Sequence, residues 1–495
     1  MRQLAFNNDL YLQLQSKHIL DRISQFDNKL YLEFGGKLFD DNHASRVLPG
    51  FKPDSKLEML LTLKEQVEII IVLNANDIEK NKVRADLGIT YDDDTLRLID
   101  AFRACDLYVG SVVITHYNNQ PSADNFCNHL TNLGIKVYHH YPIVGYPNNI
   151  AHIVSDEGFG KNDYVETIRP LVVVTAPGPG SGKMATCLSQ LYHENKRGVK
   201  AGYAKYETFP IWNLPLKHPV NLAYEAATAD LNDINMIDPF HLEAYGKTTV
   251  NYNRDVEIFP VLKTMFEKIS GTSPYLSPTD MGVNMAGYAI ENDKIAAEAS
   301  QNEIIRRYYL ALEDLKKNFI NSEEVEKIEI IMSQANVSTS DRKCVEEALL
   351  KAKETGAPAF AIELENGEIV TGKTSSLLGA ASAAILNALK VLGNVEENIP
   401  LISPTIIEPI QKLKTVNLGN NNPRLHTDEV LIALSISALT NPISHLAMQQ
   451  LSKLESCEAH STVILSEVDK NIFRKLKINL TCEPEYQSKK LYHKK

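Results

Sequence analysis

Residues 170–191 read Pro170-Leu-Val-Val-Val-Thr175-Ala-Pro-Gly178-Pro-Gly180-Ser-Gly182-Lys183-Met-Ala-Thr-Cys-Leu-Ser-Gln-Leu191. An apolar, β-branched run is followed by a glycine-rich loop, a lysine and a helical pattern of apolar side chains. This order predicts a strand, a turn and a helix whose first N–H groups can surround a phosphate. The predicted cofactor-binding residues of this loop are Gly178, Gly180, Ser181, Gly182 and Lys183.

The glycine loop departs from the standard P-loop at two positions. The pattern G-x-x-x-x-G-K-[ST] requires glycine where Pro177 stands and a hydroxyl side chain where Met184 stands. Proline has no N–H to donate, and Mg²⁺ prefers oxygen ligands to a thioether. The alternative interpretation is a tightly packed turn that binds nothing, and both interpretations stay open.

A second stretch, Gly367-Glu-Ile-Val-Thr-Gly372-Lys373-Thr374, fits the P-loop pattern letter for letter. However, Asn366-Gly367 lies between two β-rich runs, which is a strong hairpin signal. We therefore predict a hairpin here, with strands over 359–364 and 368–371, and no phosphate loop.

Composition restricts the class of protein. The chain has 495 residues, of which 44% are hydrophobic and 23% charged, as expected for two or three globular domains. A net charge of −11 argues against nucleic acid or an anionic membrane as the main partner. The N-terminus has no signal-peptide pattern, and no apolar run reaches transmembrane length. Six scattered cysteines without a C-x-x-C pair indicate a cytoplasmic protein.

Apolar β-rich runs alternate with helical patterns through the first half of the chain. The runs cover residues 30–34, 67–73, 107–115, 135–139, 171–175 and 200–206. This alternation predicts an α/β fold with a doubly wound, mainly parallel N-terminal sheet, in which ligands bind at the carboxyl ends of the strands. Phe34-Gly35-Gly36-Lys37 is a second candidate phosphate loop, for which a tight structural turn is the favoured interpretation.

Three regions are predicted. They are a Rossmann-like or P-loop-like α/β domain over 1–265, a helical connecting section over 266–326 and a smaller C-terminal α/β domain over 327–495.

Residues 207–255 form a proline-rich and polar segment beside the predicted sheet. Long ordered loops at such positions often build sites, although a surface loop with salt bridges is an equal alternative. The predicted catalytic residues are Asp230, Asp238, His241 and, further on, Asp280, and Arg254 is predicted to pair with an anion of the ligand. If Mg²⁺ takes part, one of the three aspartates must replace the missing hydroxyl ligand.

Zinc chemistry is not supported. In His193-Glu194-Asn-Lys-Arg197 an arginine stands where the second zinc-binding histidine of H-E-x-x-H would be. Residues 359–392 resemble the start of the cytidine deaminase-like fold, but its zinc-binding motifs are absent. The sequence therefore predicts neither a zinc protease nor a zinc deaminase, and no metal ligands are assigned. His426 and His460 remain candidates for a pocket.

Four segments together closely resemble one bacterial protein family of unknown function. They are residues 30–37, 175–183, 213–230 and 278–285, and the resemblance covers nearly the whole chain. Members of the family have sometimes been labelled ATP-dependent peptidases or zinc proteases, which the residues here do not support. The resemblance implies an α/β fold and a bacterial cytoplasmic setting, and it brings no reaction with it.

The leading functional hypothesis is a cytoplasmic enzyme that binds ATP, another nucleotide or a different phosphorylated small molecule. Phosphoryl transfer or ATP-dependent ligation fits best, because positioned positive charge carries most of that catalysis. One alternative is a nucleotide-responsive binding protein without turnover. Another is a purine or folate-type transferase that uses the C-terminal domain. Neither nucleic acid nor a membrane is predicted as a partner, and self-association stays open.

Overall fold

A computed structural model describes residues 4–35, 38–39, 41–84 and 87–487. Its strands are β1 Leu30–Phe34, β2 Val67–Asn74, β3 Val83–Arg84, β4 Ile89–Thr90, β5 Tyr108–Thr115, β6 Lys136–His139, β7 Leu171–Thr175, β8 Gly202–Tyr206, β9 Asn235–Ile237, β10 Val250–Tyr252, β11 Gly282–Val283, β12 Ala359–Glu363, β13 Ile369–Lys373, β14 Glu458–Ser461 and β15 Asn479–Cys482.

The helices of the first 300 residues are α1 Asn8–Ser24, α2 Asn42–Val47, α3 Ser55–Thr62, α4 Ala75–Glu79, α5 Tyr91–Ala104, α6 Pro121–Asn132, α7 Ile150–Ile153, α8 Lys183–Lys196, α9 Pro219–Ala227, α10 Pro239–Tyr245, α11 Asn253–Ser270, α12 Pro278–Met281 and α13 Asp293–Lys316. Those that follow are α14 Ser322–Ala335, α15 Lys343–Thr355, α16 Ala380–Leu392, α17 Pro404–Lys412, α18 Thr427–Ser437, α19 Pro442–Met448 and α20 Glu467–Lys475. No helix in these ranges is long and apolar enough to cross a membrane.

A seven-stranded parallel sheet forms the centre of the N-terminal region. Its strand order is β11-β8-β1-β7-β2-β5-β6, and every pairing in it is parallel. All six β-rich runs named above form strands of this sheet, so the α/β fold with a parallel N-terminal sheet is confirmed. The central strands β1 and β7 are buried along their whole length, as is typical of parallel strands covered on both faces.

The order of the strands changes direction at β1 and β7, next to the start of the glycine loop. The chain runs from β1 to β2, β5 and β6 in one direction, returns to β7 between β1 and β2, and continues to β8 in the other. Crossovers of this kind are right-handed. The connections that follow β1 and β2 therefore lie on one face of the sheet, and the connection that follows β7 lies on the other face. Ligands of open α/β sheets bind where neighbouring connections diverge in this way.

Two compact units divide the chain. One contains Leu4–Tyr224 and Asp233–Ala297 with the parallel sheet, and the other contains 225–232 and the described residues from 298 onward. The boundaries expected at residues 265 and 326 stay predictions, because a division by contacts does not test which parts fold alone.

The second unit contains a separate mixed sheet with the order β13-β12-β14-β15. β12 and β13 form the predicted hairpin, with Ala359 opposite Lys373 and Gly367 in the turn at φ 81°. A Cβ atom on Gly372 would collide with the backbone nitrogen of Ala384 in α16. Gly367 is therefore needed for the turn, and Gly372 is needed for the close packing of α16 on β13, although both match the P-loop pattern in sequence.

Candidate functional site

The glycine loop joins the end of β7 directly to the first residue of α8. Gly180 and Gly182 adopt the left-handed backbone conformation, with φ values of 73° and 92°. Gly182 is the N-cap of α8, and no side chain caps the helix there. The N–H groups of the first turn therefore remain available to an anion, and the helix dipole favours negative charge at this position.

Neighbouring strands hold the loop in place. The Thr115 hydroxyl, at the end of β5, donates a hydrogen bond of 2.6 Å to the Ser181 carbonyl. The Asn74 amide, at the end of β2, donates to the Gly180 carbonyl at 3.4 Å. Both bonds use loop carbonyls, so they fix the backbone without consuming its N–H groups.

Two of the glycines also make room for side chains of the sheet edge. A Cβ atom on Gly178 would collide with the Tyr91 phenol, and one on Gly182 would lie 3.1 Å from the Thr115 methyl group. Packing therefore requires both glycines, and Gly182 is required by its backbone conformation as well, which agrees with the interpretation of the loop as a tightly packed turn. Packing alone leaves the polar groups of the loop unexplained.

Two side chains of the loop are suited to an anion. Ser181 is only 2% exposed, and its hydroxyl has no hydrogen-bond partner among the described residues. Leaving a buried hydroxyl unpaired costs about 1–3 kcal/mol, so such a group needs an explanation. Lys183 is partly buried, and the described residues contain no carboxylate paired with it. A phosphate oxygen is an acceptor for both groups. Gly36 and Lys37, of the second candidate loop, lie outside the described residues.

A buried charged cluster at the end of β8 was missed by the sequence analysis. The Lys205 ammonium lies 2.9 Å from Glu207 Oε1 and also pairs with Asp255 of α11. The Tyr252 hydroxyl donates to the same Glu207 oxygen at 3.1 Å. Burial raises the pKa of Glu207 to about 7, against the opposing effect of Lys205. Burial alone would lower the pKa of Lys205, but Asp255 and Glu207 together raise it.

The charged cluster lies on the same sheet edge as the glycine loop. Pairing places Lys205 level with Glu33 of β1, and Glu33 level with Val174 of β7. Two strand spacings therefore separate the ends of β7 and β8, a distance of about 10 Å. A usable signal was present, since Glu33 and Lys205 are charged residues inside otherwise uncharged strands that should be buried.

Asp238 has a capping role in the structure. Its Oδ1 accepts hydrogen bonds of 3.0 Å from the backbone N–H groups of Phe240 and His241, at the start of α10. Its Oδ2 accepts from the Thr279 N–H at 3.2 Å and from the Thr279 hydroxyl at 2.6 Å. Four donors thus already occupy a fully buried carboxylate.

His241 and Asp280 lie beside Asp238, so the structure brings these three candidates together. His241 Nδ1 is 3.0 Å from the Ser277 hydroxyl, and the Tyr245 hydroxyl donates to Asp280 at 2.9 Å. Arg22, in the last turn of α1, donates to the Asp280 carbonyl. The catalytic roles of the three residues remain predictions.

Arg254 and Asp230 are the other two predicted site residues. Arg254 forms a two-point ion pair with Asp233, with distances of 2.5 and 2.7 Å, so an anionic ligand would have to displace that carboxylate. Asp230 is exposed and belongs to the other compact unit. Their predicted roles are untested.

One arrangement resembles a nucleophile, a base and an orienting carboxylate. Cys127 Sγ lies 3.6 Å from His139 Nε2, and His139 Nδ1 lies 3.6 Å from Asp163. However, burial and the charge of Asp124 raise the pKa of the Cys127 thiol to about 11. Reactive cysteines need a lowered pKa, so we assign Cys127 no catalytic role.

The zinc-protease-like helix segment is engaged in other contacts. His193 Nε2 donates to the Asn162 carbonyl at 2.9 Å, and Glu194 accepts from the Tyr31 hydroxyl at 2.7 Å. Burial lowers the pKa of His193. Over the described ranges, no group of three or more His, Cys, Asp and Glu side chains could hold a metal ion.

His426 forms an ion pair in the C-terminal unit. Its Nδ1 lies 3.0 Å from Asp469, whose other oxygen accepts from the Thr427 N–H and hydroxyl at 2.8 Å. The hydrogen bond to Asp469 raises the pKa of His426, and the pKa of Asp469 falls to about 2 despite its burial. His460 is fully buried, and Thr481 contacts its Nδ1 at 2.8 Å.

We expect His426 to make stability depend on pH. A pKa raised by folding contributes stability that is fully present below the ordinary histidine pKa of about 6.5 and is lost as pH rises through the folded value. The difference in free energy of unfolding between wild type and His426→Gln should therefore shrink from pH 6 to pH 9. Urea unfolding at several pH values measures it, and a difference that stays constant or grows would contradict the ion pair.

Comparison with known proteins identifies the family. The model of "Domain of unknown function DUF1846, N-terminal" matches residues 4–336, and that of its C-terminal counterpart matches residues 340–492. The chain is 60% identical over 494 residues to a UPF0371 protein of Streptococcus pyogenes serotype M5 (strain Manfredo), covering 100% of both chains. It is 59% identical, with the same coverage, to a UPF0371 protein of Streptococcus uberis. The chain therefore belongs to the bacterial family of unknown function described as DUF1846, as the four sequence segments had indicated.

Proposed function

We propose that the N-terminal unit binds a phosphorylated small molecule, with the phosphate on the glycine loop. One observation carries the proposal: the uncapped start of α8 lies behind two left-handed glycines, next to the buried and unpartnered hydroxyl of Ser181. Backbone N–H groups, a hydroxyl and the Lys183 ammonium together match the acceptors of a phosphate. The loop is P-loop-like in this sense, although Pro177 and Met184 break the motif.

The same edge of the sheet supports an enzyme that transfers a phosphoryl group or joins molecules at the expense of ATP. Glu207 has a pKa of about 7, so its carboxylate can accept a proton from an attacking group near neutral pH. Lys183 supplies positive charge where phosphoryl transfer needs it. A distance of about 10 Å between the two strand ends suits a small molecule that carries its phosphate at one end.

A metal ion would enter this site with the ligand. Nucleotide phosphates usually bring Mg²⁺ together with several of its waters, so few protein ligands are needed. Asp238 already accepts four hydrogen bonds, the Asp280 side chain accepts from the Tyr245 hydroxyl and from the N–H groups of Leu276 and Ser277, and Asp230 is exposed. We assign no protein ligand to such an ion.

A non-catalytic, nucleotide-responsive protein is the second candidate, favoured by Met184 at the position of the Mg²⁺-binding hydroxyl. For the C-terminal unit we propose a cytidine deaminase-like fold without its zinc chemistry, supported by the hairpin of β12 and β13 followed by α16. We also propose a cytoplasmic location, which six unpaired cysteines support.

Lys183→Ala should weaken binding of the phosphorylated ligand at least tenfold, because the variant loses a charge-assisted contact worth about 1.5–3 kcal/mol. Calorimetric titration of the full chain with inorganic phosphate, sugar phosphates and nucleotides would identify the ligand and measure the loss. Lys136→Ala is the matched control, because Lys136 is exposed on the far edge strand and forms an ion pair with the exposed Glu166. Equal affinities of wild type and Lys183→Ala would refute the proposal, as would the absence of binding by any phosphate compound.

A further inference from the structure

The C-terminal unit carries a segment without charged residues. Residues 430–452, between Glu429 and Lys453, contain no Asp, Glu, Lys or Arg and include most of α18 and all of α19. In a chain with 23% charged residues, a segment of this composition is expected to be buried on all sides. Only one side of it is buried here.

Exposed apolar side chains on α18 and in the turn after it face the solvent. Ile432 is 60% exposed, and the half-exposed Ile436 lies four residues further on, on the same side of α18. Leu439, in the turn that follows the end of α18 at Ser437, is 83% exposed. Val430 and Leu434 are buried in the core. Leu446 on α19 is also exposed, and α19 contacts α18. We call Ile432, Ile436, Leu439 and Leu446 the neutral patch.

A turn with further exposed apolar side chains is tied to the start of α18. The Lys414 ammonium, in the π-helical turn Leu413–Asn417, donates to Glu429 in the first turn of α18 at 2.7 Å. Val416 and Leu418 are largely exposed in this turn region. Clustered exposed apolar side chains mark interaction sites more often than scattered ones do.

We propose that a second copy of this chain covers the neutral patch in a symmetric dimer. A two-fold interface brings the same surface together twice, so it needs no complementary charges. Each copy carries a net charge of −11, and two copies repel each other except where they meet through an uncharged surface. A helix that lies on a membrane would carry Lys or Arg on its polar face, and 430–452 contains neither.

The size of the patch sets the expected strength of the dimer. Stable interfaces bury about 800 Å² on each partner, and the neutral patch supplies only four exposed apolar side chains to such an area. We therefore expect a dimer that dissociates on dilution, with a dissociation constant on the order of micromolar.

Sedimentation velocity of the full chain over a range of concentrations tests the proposal. Ile432→Glu places two like charges in the symmetric interface and should weaken dimerisation at least tenfold, and Leu439→Glu should act in the same way. Ile330→Glu is the control, because Ile330 is 59% exposed on α14 and is flanked by Glu326 and Glu329 outside the patch. This variant should dimerise as wild type does, and circular dichroism should show all three variants folded.

Three results would overturn the proposal. The first is a wild-type chain that stays monomeric up to roughly 100 μM, well above the expected dissociation constant. The second is a dimer that persists unchanged in both Ile432→Glu and Leu439→Glu. The third is co-flotation of wild type with phosphatidylcholine or phosphatidylglycerol vesicles that Ile432→Glu abolishes, which would assign the patch to a lipid surface.

Discussion

Replacing Lys205 by alanine is expected to lower the free energy of unfolding by about 3–5 kcal/mol, because removing one partner of a buried ion pair leaves the others uncompensated. Glu207 is buried and Asp255 is partly buried beside Lys205, and the two carboxylates would then face each other without a cation. Urea unfolding of the purified chain, followed by circular dichroism, measures the loss.

The loss caused by Lys205→Ala should depend on pH and on Glu207. Without the cation the pKa of Glu207 rises further above its ordinary value, so the variant should lose more stability at pH 8 than at pH 6. Adding Glu207→Gln should restore part of the loss. Lys136→Ala, which breaks an exposed pair with Glu166, should cost no more than about 1 kcal/mol. A similarly small effect of Lys205→Ala would show that water reaches the cluster and would weaken its proposed role.

Replacing Arg342 by alanine is expected to destabilise the C-terminal unit by a similar amount, about 3–5 kcal/mol. Arg342 is almost fully buried, pairs with Glu458, and donates to the carbonyls of Ala459 at 3.1 Å and Asn479 at 2.6 Å. The variant would leave unsatisfied acceptors at the starts of β14 and β15. Arg342→Lys should recover only part of the loss, because an ammonium cannot reproduce the planar fork of donors.

Lys351→Ala is the comparison for Arg342→Ala. Lys351 lies on the neighbouring helix α15 and forms a more exposed pair with Glu354, so its removal should cost no more than about 1 kcal/mol. Thermal and urea unfolding of both variants would show the contrast. If the two substitutions lower the free energy of unfolding equally, the buried guanidinium of Arg342 does not hold β14 and β15 together.

Much of the fold could be predicted because long apolar runs are a strong signal. β2 and β7 are continuous β-branched runs, which are typical of buried parallel strands. The edge strand β11 was not predicted, because two residues are too few to show any periodicity. The β-rich run 461–465 is typical of a strand, yet β14 spans Glu458–Ser461, and the chain turns after it, where the Ser461 hydroxyl accepts from the Val463 N–H.

The candidate site was harder to predict because it depends on distant contacts. The glycine loop is continuous in sequence and was found, whereas Lys205 and Asp255 are fifty residues apart and meet only through the fold. Asp238 was predicted to be catalytic only because it lies in a polar segment. Its sequence, Asp238-Pro239, is nevertheless the common start of a helix, with an N-cap aspartate followed by proline at the first position.

The position of β7 has a consequence for how the chain reaches its native state during synthesis. β1 pairs only with β7 and β8, so residues 30–34 have no partner in the sheet until about residue 175 has been made. A ribosome-bound fragment that ends near residue 165 could pair β2 with β5 and β5 with β6, but it would expose β1 and one edge of β2. Unpaired strand edges are where chains aggregate, so fragments cut between β6 and β7 should be the least soluble, and expression of the N-terminal unit should extend at least to the end of β8.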